Sequence, residues 1–270
     1  MADRERFRPF TGDTSKSIRL QSNPLALVLS QIRWPELSHL QTDLKEIALN
    51  FGSALPEYPI YEEIQEVGYQ VTPDGVHQSV GDKLYRWASI DRTWHVTLGR
   101  RFVSLYSTSY VAFDEFSERL LKVMESVHAH VRTPLVERVG VRYVNRLDDP
   151  RLISAISEYV RPEVLGYLSL VPASADVTVL SSANQVRYAI GDVNLQVRSG
   201  VLSPNETADP AIPPVPASSW VLDLDASSEQ FEPFSVQSIL ARAGKLSDVA
   251  YDYFKLVTTD GFLREFGGSE

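Results

Sequence analysis

The stretch V-E-R-V-G-V-R-Y-V-N-R-L, residues 136–147, decides how the rest of the sequence is interpreted. Its apolar and basic residues alternate, as in a strand whose side chains point to opposite faces of a sheet. One predicted face carries the apolar side chains of Val139, Val141, Tyr143 and Leu147. The other face carries three arginines, with Gly140 between the first two: Arg138, Arg142 and Arg146. We therefore predict a strand with three guanidinium groups in one row.

Length and composition are those of a folded protein. The chain has 270 residues, of which 43% are hydrophobic and 23% charged, so a sizeable core is expected. The absence of cysteine excludes disulfides, thiolate catalysis and Cys-ligated metal centres. The N-terminus lacks the apolar core of a signal peptide, and no apolar run approaches the roughly 20 residues that span a bilayer. These features predict a cytoplasmic protein without a membrane partner.

The charge balance bears on the class of partner. Lys and Arg total 26 against 35 Asp and Glu, which gives a net charge of −9. An acidic protein repels phosphate backbones on average, so generic nucleic-acid binding is disfavoured.

The chain divides into a polar arm, residues 1–22, and two halves with the same predicted order of elements. Residues 23–133 and residues 134–270 each predict a strand, a helix, several antiparallel strands and a long helix. The apolar-Arg-aromatic triplet at 32–34 also corresponds to the one at 141–143. These matches favour an internal duplication.

Two segments of the second half have distinct patterns. Residues 177–180, V-T-V-L, predict a short strand. Residues 204–216 hold five prolines and no periodic pattern, so we predict a surface loop or lid. The whole pattern predicts an α+β protein of two similar halves, in which antiparallel sheets carry helices packed on one face.

Four stretches resemble a sporadically distributed family of uncharacterised prokaryotic proteins. They are P-L-A-L-V-L-S-Q-I-R-W (24–34), F-D-E-F (113–116), V-G-V-R-Y-V-N (139–145) and V-T-T-D-G-F (257–262). Similar proteins often have acidic residues where this chain has Leu27 and Gln31, which weakens a role for first-strand carboxylates here. The resemblance implies no activity, cofactor or catalytic residue. The scattered occurrence of the family resembles that of defence or toxin–antitoxin genes.

Patterns typical of catalysis or metal binding are missing from the sequence. The five histidines form no H-x-x-x-H or H-E-x-x-H spacing, and neither G-x-S-x-G nor G-x-G-x-x-G occurs. We therefore predict no catalytic residue, no metal site and no cofactor.

The acidic residues Asp223 and Asp225 alternate with leucines in V-L-D-L-D, which places both carboxylates on one strand face. They could bind a metal or act as acid and base. The favoured interpretation is that they oppose arginines on a neighbouring strand, since such pairs stabilise by roughly 0.2–1 kcal/mol each.

The arginine row also has two interpretations. Guanidinium groups suit carboxylate or phosphate ligands, and Gly140 would let a ligand approach or would mark a bulge. The structural interpretation, a solvated sheet face with Asp and Glu partners, is placed ahead of the functional one. The candidate binding residues are Arg138, Arg142, Arg146, Asp223 and Asp225.

These observations favour a non-catalytic binding module that recognises a protein partner or a small anionic ligand. A role in a prokaryotic defence or toxin–antitoxin system is part of this prediction, and an acidic partner would suit the arginines. Two alternatives stay open, a hydrolase of a phosphorylated small molecule and a structural or oligomeric scaffold.

Overall fold

A single antiparallel sheet forms the centre of the molecule. The computed structural model describes residues 6–15, 18–72, 75–172 and 176–268, with the backbone alone for 66–72 and 75–80. Nine strands lie side by side in this part of the chain, all paired antiparallel. Their order across the sheet is β2 (Ile60–Thr72), β3 (Gly75–Ala88), β4 (Trp94–Leu98), β5 (Phe102–Ser107), β1 (Leu25–Arg33), β7 (Arg138–Leu147), β10 (Ser219–Ser228), β9 (Val193–Leu202) and β8 (Asn184–Ile190).

The two halves of the chain meet at β1 and β7. These strands pair over most of their length, with Ile32 opposite Val139 and Val28 opposite Tyr143. The halves therefore share one sheet and do not form a sheet each. In both halves the last strand of a meander returns beside the first strand, although the second meander is one strand shorter. The internal duplication itself stays a prediction.

All helices of the described chain contribute to one core on one face of this sheet, so the predicted α+β class is confirmed. Val28, Val141 and Leu224 of the strands share one core with residues of the helices, among them Phe51, Phe116 and Val249. The helices are α1 (His39–Thr42), α2 (Leu44–Ser53), α3 (Phe113–Ser126), α4 (Pro150–Ser154), α5 (Ile156–Tyr159), α6 (Pro162–Leu165), α7 (Val236–Val257) and α8 (Asp260–Glu265). A π-helical turn, Val127–Val131, extends α3, and a 3₁₀ turn, Gly166–Leu170, follows α6. Strands β6 (Leu135–Val136) and β11 (Glu232–Pro233) form a separate small sheet.

Helix ends follow the local sequence. Asp149 accepts a hydrogen bond from the Arg151 amide and is followed by proline, which is a typical helix start, so α4 begins at Pro150. Ser235 caps α7 through the Ser238 amide. None of the described helices is both long enough and apolar enough to cross a bilayer.

The polar N-terminal arm packs along α7 in the described residues 6–15. The Arg8 guanidinium lies 3.1 Å from the Asp248 carboxylate, and both side chains are buried. Asp252, which is fully buried, accepts the amide hydrogens of Phe10 and Thr11. Because buried carboxylates need partners, these contacts hold the arm against the body of the protein.

Two predictions about irregular segments are corrected. Residues 177–180 form no strand, and Val177 and Leu180 are exposed, because β9 finds its partners in β8 and β10 instead. Residues 204–216 form a loop, as predicted, but the loop is not wholly exposed. Its apolar Ile212 is buried against the sheet face that the helices leave uncovered.

Helix α2 fixes the position of β3 through a contact that has no room for another atom. A Cβ atom built on Gly52 would lie 2.1 Å from Nε1 of Trp87, whose indole is buried in the core. The Trp87 ring also packs edge-on against Phe51, with ring centroids 5.3 Å apart. The position of β3, and of the turn that follows it, therefore depends on a glycine at this point.

We expect Gly52→Ala to destabilise the protein by about 1–3 kcal/mol, because the added methyl group overpacks the indole. In an exposed helix position the same change would stabilise by roughly 0.5–1 kcal/mol, so the sign tests the contact. Urea unfolding measures the difference. Asn50→Ala, an exposed position on the same helix, serves as the control and should change stability by no more than about 0.5 kcal/mol.

Candidate functional site

The predicted site residues meet on the sheet face opposite the helices, which we call the loop face. It carries Arg138, Gly140, Arg142 and Arg146 from β7 and Asp223 and Asp225 from β10. The alternation of β7 places them there, because Val139 and Val141 are fully buried on the helix side. The strand assignment and the facing of the arginine row thus agree with the prediction.

Arg142 is the most heavily bonded member of the row. Its Nε and Nη2 donate to the two oxygens of Asp223 at 2.8 and 2.9 Å, a bidentate pair. Its Nη1 donates to Asp209 at 2.6 Å, and Arg198 lies 3.3 Å from the same Asp223 carboxylate. Burial alone would lower the pKa of Arg142, but the hydrogen bonds and negative charges of Asp223 and Asp209 together outweigh it and raise the pKa above its ordinary value. These contacts fit the interpretation in which Asp223 forms structural ion pairs with arginines on neighbouring strands.

Arg138 explains the glycine in the row. A Cβ on Gly140 would lie 2.7 Å from Nη1 of Arg138, so the guanidinium occupies the space that the missing side chain leaves. The register of β7 runs through Gly140 without a bulge on either side. Arg138 also contacts Gln31 at 3.4 Å and Asp225 at 3.5 Å. The space at Gly140 is therefore filled by the protein and does not admit a ligand.

The proline-rich loop, residues 204–216, folds onto the loop face. Asp209 reaches Arg142, and the Pro213 carbonyl accepts from Nη1 of Arg146 at 2.6 Å. Ile212 is buried in a small apolar cluster. The other buried members of this cluster are Leu27, Tyr106, Val144 and Val221. Two polar contacts and one apolar anchor thus hold the loop in place.

A cavity of about 360 Å³ lies between this loop and strands β4 and β5. Two arginines and a histidine line it, and none of the described lining residues is acidic. The lining residues are Ala26, Arg92, His95, Tyr106, Thr108, Arg146, Ala211, Ile212 and Pro213. Its volume lies within the range of small-molecule sites, roughly 300–1,000 Å³. Of the predicted arginine row, Arg146 alone reaches this cavity.

His95 is held in one orientation inside the cavity wall. Its ring stacks on Tyr106 with centroids 4.5 Å apart, and its Nε2 lies 2.8 Å from the Arg92 carbonyl oxygen. Nε2 must therefore donate, which leaves Nδ1 as an acceptor, and Nδ1 has no hydrogen-bond partner among the described residues. Burial lowers the pKa of His95, so the ring is neutral at physiological pH.

Arg92 sits in a turn whose backbone does not favour arginine. Its φ is +56°, in the left-handed region that costs a non-glycine residue roughly 1–2 kcal/mol. Asp91 holds the turn, because its carboxylate accepts from the Thr93 amide and from the Ser89 and Thr93 hydroxyls. Both Arg92 and its ion-pair partner Glu62, 2.9 Å away, are largely exposed. An exposed pair of this kind is worth little, so it does not account for an arginine at this position.

Arg86 adds a further positive charge next to the cavity. It lies 5.9 Å from the centre of the Tyr106 ring and bonds the Thr97 hydroxyl at 3.4 Å. Glu62 lies directly opposite Arg86 on β2 but is paired with Arg92, and no ion pair of Arg86 occurs among the described residues. The positive potential at this end of the loop face is therefore only partly balanced by carboxylates.

Sequence reasoning missed the cavity residues Arg92, His95, Tyr106 and Thr108. Nothing in the S-I-D-R-T turn identifies Arg92 as a ligand-binding residue until the turn geometry shows its positive φ. His95 belongs to an ordinary alternating strand, and only the fold brings it beside Arg146. In the part of the chain that the structure describes, no group of three or more His, Asp or Glu is placed to hold a metal ion.

Comparison of the chain with protein-family models, with curated proteins and with solved structures finds no match in any of the three. The resemblance to the sporadically distributed prokaryotic family therefore stays a prediction.

Asp225 differs from Asp223 in how well its charge is compensated. Burial raises the pKa of Asp225 above its ordinary value, and the Arg138 charge offsets this only in part. The nearest Arg138 nitrogen is 3.5 Å away, whereas Asp223 has a bidentate partner at 2.8 Å. The two neighbouring carboxylates should thus respond to substitution in opposite ways.

We expect Asp225→Asn to raise the melting temperature at neutral pH. A carboxyl group with a raised pKa favours the folded state only at low pH, and that contribution is lost as the pH rises through the folded-state pKa. The gain from Asp225→Asn should therefore vanish in acid, where the wild-type group is protonated.

Asp223→Asn is the matched comparison, since it leaves Arg142 with Asp209 alone. It should destabilise by about 3 kcal/mol at neutral pH. Thermal unfolding between pH 4 and 8 measures both variants, and a lower melting temperature for Asp225→Asn at pH 7 would contradict the assignment.

Proposed function

We propose that this protein is a non-catalytic binding module for a small anionic ligand, which it takes up in the cavity beneath the proline-rich loop. The observation that carries this proposal is the lining of the cavity, in which Arg92 and Arg146 occur beside the neutral His95 and without an acidic residue. In a protein with a net charge of −9, such a concentration of positive charge draws small anions to one place.

The geometry of the two arginines supports an anion of small size. Each guanidinium has five N–H donors. Arg92 contacts Glu62, and Arg146 contacts the Pro213 carbonyl and, at 3.7 Å, Asp148, so several donors stay free for a ligand. Planar guanidinium groups match carboxylate and phosphate oxygens in pairs. A carboxylate or a phosphate monoester fits both this chemistry and the cavity volume of about 360 Å³.

The contacts of Asp223 favour binding over hydrolysis. A catalytic carboxylate must be free to hold a metal or a water molecule. Both oxygens of Asp223 are already engaged by Arg142 and Arg198. The surroundings of Asp223 are thus those of a structural ion pair.

Binding of inorganic phosphate, measured by titration calorimetry and by thermal shift, tests the proposal. Phosphate should raise the melting temperature of the wild-type protein, since a ligand that binds only the folded state stabilises it by RT ln(1 + [L]/Kd). Higher ionic strength from chloride should weaken the effect.

Arg92→Gly separates ligand binding from stability. Glycine accepts a positive φ without strain and keeps the backbone carbonyl that His95 contacts, so the free protein should melt at the same or a higher temperature. Phosphate affinity should nevertheless fall about tenfold or more, because a charged hydrogen-bond donor is lost.

Two further variants complete the test. Arg146→Gln should also weaken phosphate binding, while Arg187→Gln removes the same charge from exposed β8, away from the cavity, and should leave binding almost unchanged. Equal phosphate affinity in all three variants and the wild-type protein would overturn the proposal.

A further inference from the structure

The proline-rich loop is both a wall of the cavity and a separately held piece of the structure. Ala211, Ile212 and Pro213 line the cavity from the loop side. The loop also bonds within itself, because Thr207 donates to the Ile212 carbonyl and Asp209 accepts from the Ala211 amide. These internal contacts make the lining segment a unit that moves with Asp209.

Besides the Ile212 anchor and the Arg146 contact, one ion pair joins this unit to the sheet. The Asp209 carboxylate lies 2.6 Å from Nη1 of Arg142, with both side chains less than one fifth exposed. Arg142 keeps its bidentate bond to Asp223 whether or not Asp209 is present. The Asp209 contact can therefore break without leaving Arg142 unpaired. Of the ion pairs of Arg142, it is the one that can open and close at low cost.

The second polar attachment of the loop is shared with the cavity. Arg146 donates to the Pro213 carbonyl at 2.6 Å, and the same guanidinium lines the cavity. An anion bound there contacts a group that also holds the loop. Arg146 therefore connects ligand binding to the position of the loop, because one guanidinium contacts both.

We propose that Asp209 and Arg142 form a latch that holds the proline-rich loop as the roof of the cavity, so that anion binding and loop closure are coupled. The proposal rests on the proposed function, and it makes Asp209 a positioning residue. A site whose competent conformation is only partly populated binds with an affinity reduced by that fraction. By linkage, a ligand that binds more tightly when the loop is closed shifts the loop toward the closed conformation by the same factor as the gain in affinity.

The sign of the Asp209→Asn effect separates the latch from simple electrostatics. Removal of a negative charge near a cationic cavity should strengthen anion binding if charge alone matters. The latch predicts the opposite, a phosphate affinity weaker by about threefold to tenfold, because the roof is closed less often. Asparagine keeps the acceptor for the Ala211 amide, so the internal structure of the loop is retained.

Asp148→Asn is the matched control. Asp148 lies 3.7 Å from Arg146, is half exposed and is not part of the loop. The substitution removes the same charge and should leave phosphate binding unchanged or slightly stronger. Titration calorimetry with inorganic phosphate on the three proteins gives the comparison.

Limited proteolysis with proteinase K measures loop closure directly, because this protease has broad specificity and the loop offers it the bonds after Thr207 and Ala208, which proline does not follow. Saturating phosphate should slow cleavage of residues 204–216 in the wild-type protein severalfold, and Asp209→Asn should accelerate it without ligand. Phosphate that binds without protecting the loop, or an affinity of Asp209→Asn equal to or above that of the wild type, would overturn the latch alone. Failure of phosphate to bind the wild-type protein would instead overturn the proposed function, and the latch with it.

Discussion

The antiparallel pairing of β1 with β7 is the constraint on which the other features of the molecule depend. It joins the two halves into one sheet, and it fixes which side chains of both strands face the helices. A slip of one residue would turn Val139 and Val141 toward solvent and the arginines into the core. The apolar positions of the two strands therefore determine the register, and the register determines the composition of the loop face.

Along the loop face, the arginines differ in how completely their charges are paired, and the pairing decreases toward the cavity. At its centre, Arg142 and Asp223 satisfy one another almost completely, so they contribute to a defined structure and not to binding. Toward the end of β7, Arg146 is bonded to a loop carbonyl and also lines the cavity. Beyond the sheet, Arg92 occupies a strained turn and is largely exposed. The positive charges are less fully compensated by carboxylates toward the cavity, which is where we propose that an anion binds.

The sequence predicts most of the fold because apolar periodicity and turn residues are local signals. Neighbouring residues suffice to predict three features: the strands on both sides of Gly191, the helix cap at Asp149 and the two faces of β7. The cavity could not be predicted, because Arg92, His95 and Arg146 come from separate strands and turns that only the sheet order brings together. The role of Gly140 was likewise hidden, since the group that fills its space is a side chain two residues away. The prediction of a strand at 177–180 was wrong, because β-branched residues indicate a local preference for extended backbone but not whether a partner strand is available.

The pairing of β1 with β7 also has a consequence for how the chain folds during synthesis. Ser30 of β1 and Gly140 of β7 are in contact across a separation of 110 residues. At typical ribosomal speeds, roughly 5–20 s pass between the appearance of the first strand and that of its partner. During this interval one edge of β1 has no hydrogen-bonding neighbour, which makes the nascent N-terminal half a target for chaperones or for aggregation. Long-range closure of this kind is slow, so completion of the sheet is expected to limit the folding rate.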